Sequence, residues 1–461
     1  MVLKIHNTLS GTKEVFAPVD KQHVRVYACG PTVYNFAHIG NARMAVANDL
    51  LIKVLRTQYN KVTYVSNITD IDDKIIDAAN ELNEPIQNLT TKYTKIYNED
   101  MAYLNVSLPD VQPRATDHID EMILIIKKLI ENNNAYEKEG HVLFHVPSYS
   151  RYGVLSKRNR DEQIAGSRVE VAPFKKDPAD FILWKPSPDP LPGWDSPWGF
   201  GRPGWHLECS AMSEKTLGLP FDIHSGGMDL VFPHHENEIA QTCSLNKNHE
   251  PEGFARFWFH NGFVNVAGEK MSKSIGNIRL VHKLIKEYKG EVLRMALLSA
   301  HYRQPLNWTK DIIRQNSTML DRLYRTLKDL ENIDAYAKTN TISPNIIEGL
   351  YDDLNTPKVI AELNVLSNQI SSKDENKKIE IKFNLLEVGK ILGILQENPD
   401  KWLGYGKSEN LEESMIEGLI KNRNEARREK NFDMADKIRD QLKEMGIEIE
   451  DTSDGTIWRS N

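Results

Sequence analysis

The chain has 461 residues, 40% hydrophobic and 27% charged, with a formal net charge of −7. That length is too great for one core and predicts several domains. The acidic balance excludes a generally basic nucleic-acid coat, though a local basic face stays open, because phosphate attraction acts within a Debye length of roughly 10 Å. The longest apolar runs, such as Met122 to Ile126, fall far short of the roughly 20 residues that span a bilayer. The first residues lack a signal-peptide apolar core, and the three cysteines (Cys29, Cys209, Cys243) are too few for a disulfide framework. A cytoplasmic protein is predicted, with cysteines in metal or catalytic roles and no membrane partner.

Val24 to Ala28 alternates as a strand. Apolar residues at Met44, Ala47, Leu50, Leu51, Val54 and Leu55 predict a helix over 41–56, and a second strand follows over 61–66. Strand, helix, strand at this spacing is a parallel βαβ unit. Cys29 and Gly30 stand at the carboxyl end of the first strand, where open sheets place ligands. His38, Gly40 and Asn41 lie where a helix N-terminus favours phosphate. The bland alternative is a buried structural Cys and a helix-capping Asn beside a surface His. Thr69, just past the second strand, points towards the same site, whereas Asp72 and Asp73 read as charges complementing a helix dipole.

Residues 75–135 read as helical, with a break at Pro109 and Pro113 and with Thr116 or Asp117 capping a helix over 118–132. Residues 140–146 alternate like a strand, and the proline- and tryptophan-rich stretch 171–204 has little periodicity. Residues 115–200 therefore read as an insertion between two halves of a nucleotide-binding sheet. Gly199 to Gly204 matches GxGxxG, but Pro203 lies inside it and no strand precedes it, so it is not a dinucleotide turn.

Trp205 to Met212 opens a helix, and Phe221 to His224 is a strand running into a glycine turn. His234 and Glu238 are four apart, on one face of a helix. With Cys29 and Cys209 they complete a zinc-type ligand set. Cys243, on another face, reads as core. The loop 268–277 is bounded by glycines and carries Lys270 and Lys273. It suits a mobile clamp on phosphates, with a solvated Lys/Ser loop as the plain alternative. Helices are predicted over 312–330, 343–354, 358–371 and 379–393. A small basic-and-acidic terminal domain follows, closing in a short hairpin over 447–451 and 456–459.

His38-Ile39-Gly40-Asn41 and Lys270-Met271-Ser272-Lys273-Ser274 resemble the two signatures of class I aminoacyl-tRNA synthetases, written HIGH and KMSKS, with Asn41 in place of the second histidine. The blocks CGPTVYNFAHIGNAR, YVSNITDIDDKI, PGWHLECSAM and FDIHSGGMDLVFPHHENEIAQ are similar to the cysteinyl-tRNA synthetase family, over nearly the whole chain. The resemblance implies an α/β fold. A Rossmann-like parallel-sheet catalytic domain occupies 1–114 and 201–310 around the connective insertion 115–200. An all-α helical bundle follows over 311–400, then a small α/β tRNA-binding domain over 401–461.

The resemblance also implies one Zn²⁺ per chain on Cys29, Cys209, His234 and Glu238, and Mg²⁺ with ATP. The reaction would join L-cysteine to tRNA(Cys), and a monomer is expected. His38, Asn41, Lys270 and Lys273 would be catalytic. With Gly40 and Asp229 they would hold ATP, while Gly30, Thr69, Trp205 and His224 would contact the amino acid. Trp458 is expected to stack on an unpaired anticodon base. Two rival readings remain. A synthetase-like ligase joining activated cysteine to a small amine would need no tRNA-binding tail. A non-catalytic zinc- and RNA-binding regulator predicts degraded phosphate motifs.

Overall fold

The computed structural model describes residues 1–166, 173–245, 250–271, 275–337, 341–404, 413–452 and 455–460. The chain divides into two compact units, Met1–Ile313 with Pro344–Ile360, and Arg314–Ser343 with Ala361–Asn461.

The first unit opens on an antiparallel hairpin, β1 (Lys4–Asn7) and β2 (Thr12–Val15). The predicted βαβ unit follows as β3 (Val24–Ala28), α1 (Ile39–Arg56) and β4 (Val62–Ser66), with Val24 opposite Val62 in a parallel pair. Next come α2 (Asp73–Leu82), α3 (Ile86–Tyr103) and α4 (Ile119–Glu131). Asp72 caps α2 by accepting the Lys74 N–H at 2.9 Å. The cap expected on α4 does not form. Residues Ala115–His118 make a separate 3₁₀ turn, and Thr116 gives both its N–H and its hydroxyl to Asp70 at 3.0 and 2.7 Å. A buried carboxylate of another loop outcompetes the helix end for the same donors.

A separate four-stranded antiparallel sheet then forms from β5 (Ala135–Lys138), β6 (His141–Phe144), β7 (Phe181–Pro186) and β8 (Gly201–Pro203), in that order. The short helix α5 (Arg160–Gly166) lies between β6 and β7 in sequence. The chain re-enters the first sheet through α6 (Trp205–Leu217), β9 (Phe221–Gly227), α7 (Glu236–Leu245) and β10 (Ala255–Asn261). The main sheet is all parallel, in the order β10-β9-β3-β4.

That order fixes the site. β4 lies on one side of β3 and β9 on the other, so the winding reverses at β3. The crevice outside the carboxyl ends of β3 and β9 is the switch point where open α/β sheets take ligands. β9 is buried at every position, so its polar residues must find partners inside. The core beneath combines Tyr27, Val65, Leu207, Met212, Phe221 and Trp258. Three short strands, β11 (Val264–Val266), β12 (Glu269–Lys270) and β13 (Leu306–Trp308), form a separate sheet in the order β12-β11-β13, with Lys270 ending β12.

Within Pro344–Ile360, Asp353 has no exposed surface and a left-handed backbone, φ 59°. It accepts the His6 N–H at 2.9 Å, the Tyr302 hydroxyl at 2.6 Å and the Arg303 Nε–H at 2.8 Å. The second unit includes helices over Glu375–Leu392, Glu413–Arg428 and Phe432–Glu444 and a closing hairpin, β14 (Ile447–Thr452) and β15 (Gly455–Ser460). Trp458 does not offer the exposed face that base stacking requires. It is 7% exposed and packs with Ile416, Ile420, Ile438, Leu442 and Ile447. A hairpin over two short helices needs one large apolar side chain to seal it, and Trp458 is that side chain. Arg423 and Arg427 close on Asp451, which answers part of the basic run internally.

Candidate metal centre and active site

β3 delivers Cys29 and Gly30 to the crevice. Gly30 gives its N–H to Asn67 Oδ1 at 2.9 Å. A Cβ on Gly30 would stand 1.6 Å from the Asn67 carbonyl oxygen, so only glycine allows this approach. α6 contributes Cys209. His234 comes from the turn before α7, where Phe232 leaves helical geometry at φ −140°, ψ 133°. Glu238 comes from α7 itself.

The four donors converge, all buried. Cys29 Sγ lies 3.4 Å from Cys209 Sγ, 3.5 Å from His234 Nε2 and 3.6 Å from Glu238 Oε1, and His234 Nε2 lies 3.0 Å from Glu238 Oε1. Around zinc, with Zn–S near 2.3 Å and Zn–N or Zn–O near 2.0–2.1 Å, tetrahedral donors stand about 3.8 Å apart for two sulfurs, about 3.5 Å for sulfur and nitrogen, and about 3.3 Å for nitrogen and oxygen. The two sulfur contacts to His234 and Glu238 match within about 0.1 Å, and the sulfur–sulfur and nitrogen–oxygen pairs are shorter by about 0.3–0.4 Å. The residues fit the ion.

Charge distribution agrees. Burial pushes the Cys29 thiol well up. Burial also opposes ionisation of Cys209, but hydrogen bonds from Cys29 and His234 outweigh it and bring Cys209 down to about 6. Against burial, Glu238 and Cys209 raise His234 to about 10, and His224 and His234 hold Glu238 down at about 2.

Behind these four donors stands a second rank, in which Trp205 and His224 were expected beside the amino acid and His206, His235 and His260 were not expected at all. Trp205 stacks on His234 at 4.1 Å and 22°, and His206 Nδ1 lies 2.9 Å from His234 Nδ1. His224 Nε2 is 2.8 Å from Glu238 Oε2, with its ring stacked on Trp258. His235 Nε2 is 3.3 Å from Cys29 Sγ, and its Nδ1 is 2.8 Å from His260 Nε2. Burial drives His235 well down and His260 to about 3, so both are neutral at neutral pH. Cys29, His224, His235 and Glu238 form an overlapping second candidate set. It lacks the second sulfur. Cys243 is absent from both sets and buried near the Glu250 carbonyl.

On the phosphate side, His38 caps α1. Its Nδ1 accepts the N–H groups of Gly40 and Asn41 at 3.1 and 3.3 Å, and Asn41 Oδ1 accepts the His38 N–H at 3.0 Å. Asn41 thus serves the helix end reciprocally, a reason for amide rather than imidazole at this position. Burial lowers His38, opposed by the nearby Asp229 charge. Met271 of the second signature reaches the first, since a Cβ on Gly40 would meet Met271 Cε at 3.3 Å, and the Ile39 N–H bonds the Arg279 carbonyl at 2.8 Å. Lys270 is exposed, its Nζ 4.8 Å from the Phe263 ring centre. Lys273, with Ser272 and Ser274, lies outside the described residues. Thr69 Oγ1 accepts from Asn67 Nδ2 at 3.3 Å and bonds the Glu208 carboxyl.

Residues 15–318 match the tRNA synthetases class I (C) catalytic domain, 345–396 the DALR domain, and 413–459 the cysteinyl-tRNA ligase anticodon binding domain. A protein of Parvibaculum lavamentivorans named "Cysteine--tRNA ligase" is 53% identical over 99% of this chain and 97% of its own length. A protein of the same name from Rhodospirillum rubrum is 52% identical over the whole of both. Among solved structures, Mycobacterium tuberculosis methionyl-tRNA synthetase with methionyl-adenylate is similar in fold, with a TM-score of 0.57, 15% identity, and coverage of 84% of this chain and 95% of that one. The chain belongs to the class I aminoacyl-tRNA synthetases and, within them, to the cysteine-tRNA ligase family.

Proposed function

We propose that Cys29, Cys209, His234 and Glu238 hold one Zn²⁺ per chain and that the ion selects cysteine by its sulfur, in an enzyme that activates cysteine with ATP and transfers it to the 3′-terminal adenosine of tRNA(Cys). The observation that carries this is four buried donors at tetrahedral separations, placed at the switch point beside the phosphate-binding start of α1. When bound, the ion supplies a soft Lewis acid that prefers thiolate to hydroxyl. Packing alone separates close analogues only about 10–200-fold, so this preference is what tells cysteine from serine.

The chain's own groups do the rest by positioning and charge. Trp205 and His206 hold the His234 ring, and His224 holds Glu238. Gly30, Thr69, Trp205 and His224 border the amino acid. The cysteine carboxylate attacks the ATP α-phosphorus, forming the acyl–phosphate bond as pyrophosphate leaves. His38, Asn41, Gly40 and Asp229 hold the nucleotide. Lys270 and Lys273 close over the leaving pyrophosphate, and Mg²⁺ accompanies ATP. A ribose hydroxyl of the tRNA terminal adenosine then displaces AMP.

We read 401–461 as the anticodon-contacting part and the protein as a cytoplasmic monomer. Among the described residues, no helix is long and apolar enough to cross a membrane. The matches to a catalytic and to an anticodon-binding domain speak against both a regulator and an amine ligase. Chelator-stripped enzyme should lose most of its cysteine-over-serine preference in pyrophosphate exchange and regain it with Zn²⁺. Stripped enzyme that prefers cysteine as strongly as before refutes the reading.

A further inference from the structure

Glu208 precedes Cys209 on α6 and is 1% exposed. Its carboxyl takes a hydrogen bond from Thr69, while its Oε2 has no hydrogen-bond partner among the described residues. An unmet buried acceptor is uncommon in folded interiors and signals a missing donor. Glu208 lines a cavity of about 190 Å³ with Ile71, Asp72, Trp205, His206 and Phe232, so a donor has room to arrive.

The substrate class identifies that donor. Cysteine carries a thiol, a carboxylate and one cation, its ammonium group. The thiol belongs to the metal donors and the carboxylate to the ATP side. The ammonium needs a carboxylate, and Glu208 is the buried one in this cavity with an unmet oxygen. Asp180 accepts from Tyr136 and Val146, and Asp72 is half-buried and accepts the Lys74 N–H, while the carboxylates around them are engaged or lie elsewhere. Glu238 faces His234 with one oxygen and His224 with the other. Asp70 holds Thr116 with both oxygens, and Asp73 holds Lys185 and Arg202. Asp229 lies beside Gly227, on the His38 side. In cysteine, nitrogen and sulfur are three bonds apart, on the order of 3–4 Å, and Glu208 is the chain neighbour of the metal donor Cys209.

We propose that Glu208 is the receptor for the substrate's ammonium group, held in place by a chain of hydrogen bonds from the β3 turn. Gly30 N–H bonds Asn67 Oδ1, Asn67 Nδ2 bonds Thr69 Oγ1, and Thr69 bonds Glu208. The substrate is then read at two points, sulfur at the metal and nitrogen at Glu208. This rests on the metal–thiol reading for the position of the sulfur.

The test is equilibrium binding of three probes to the zinc-loaded full chain: L-cysteine, 3-mercaptopropionate, which lacks the ammonium, and L-2-aminobutyrate, in which methyl replaces the thiol. A charge-assisted hydrogen bond predicts that wild type binds cysteine about 10–100 times more tightly than 3-mercaptopropionate. Glu208→Gln, which keeps the shape, should bring that ratio to within about threefold and leave 3-mercaptopropionate binding unchanged. A ratio that survives Glu208→Gln overturns the proposal, as does an equal loss for both thiols, the mark of a merely structural role. The wild-type comparison needs no variant to fold, and equal affinities there overturn the proposal too. Equal affinities for cysteine and 2-aminobutyrate would fail the metal–thiol reading instead, with the ammonium comparison still readable.

Discussion

Loading a metal into the Cys29–Cys209–His234–Glu238 cluster must expel the protons that hold it together without one. One proton is shared by the two sulfurs, 3.4 Å apart, because burial keeps the Cys29 thiol well up while Cys209 ionises near 6. A second sits on His234, raised to about 10 beside Glu238, which is itself ionised down to about 2. Metal ligation needs two thiolates, a neutral imidazole and a carboxylate. At pH 7.5 two protons should therefore leave per ion bound. Affinity should rise about 100-fold per pH unit there, or about 2.7 kcal/mol.

The sign follows from the raised groups. Burial keeps the Cys29 thiol protonated, and His234 holds its proton up to about 10, so both protons compete with the metal and affinity falls as pH falls. Below about 6, Cys209 adds a third proton and the fall steepens. Above about 10, His234 has lost its proton and the slope drops to one. Calorimetric titration of stripped protein with Zn²⁺, in buffers of differing ionisation enthalpy at pH 7.5, counts the protons directly. A count near one refutes the assignment.

His206→Ala removes the contact at His234 Nδ1 and should weaken Zn²⁺ binding about 10–100-fold in chelator competition. Gly30→Ala places a methyl 1.6 Å from the Asn67 carbonyl oxygen. It should cost at least about 3 kcal/mol in urea unfolding or abolish the fold, and an unchanged midpoint would contradict the packing described. Removing residues 401–461 should spare cysteine-dependent pyrophosphate exchange while raising the tRNA KM on the order of tenfold, about 1.4 kcal/mol. Unchanged tRNA kinetics would reject the tail as an anticodon contact.

The sheet was readable because its strands and the α1 stripe follow simple periods, and β3 runs from Val24 to Ala28 as its alternation indicates. The convergence of Cys29, Cys209, His234 and Glu238 was readable because residue types able to bind a metal are few and these sit at strand and helix ends. The imidazoles behind them were not. Little in the sequence around His206, His235 and His260 marks them out, and only the fold turns His206 towards His234, His235 towards Cys29 and His260 towards His235. The doublet His234-His235 was the one local hint. Capping at this helix end was offered only as a plain alternative, and through Asn41 alone with His38 at the surface, because a cap and a ligand contact demand the same residue types; the structure makes His38 the cap and Asn41 its reciprocal partner. Trp458 was misread for a related reason: an aromatic near basic residues looks like a base platform until its strand's inward face is known. Glu208 gave no signal of its own, since a lone carboxylate on a helix, here between Leu207 and Cys209, reads as surface until the fold buries it.

Asp353 has a consequence for dissecting this chain. The catalytic unit is not a prefix: the sequence leaves it after Ile313 and returns to it over Pro344–Ile360. A fragment stopping near residue 313 would retain every strand of the main sheet yet strand the Tyr302 hydroxyl, the Arg303 guanidinium and the His6 amide without their shared carboxylate. A minimal activating enzyme must therefore extend to about residue 360, and ribosomal synthesis cannot finish the sheet's last anchor until the first tail helix has already emerged.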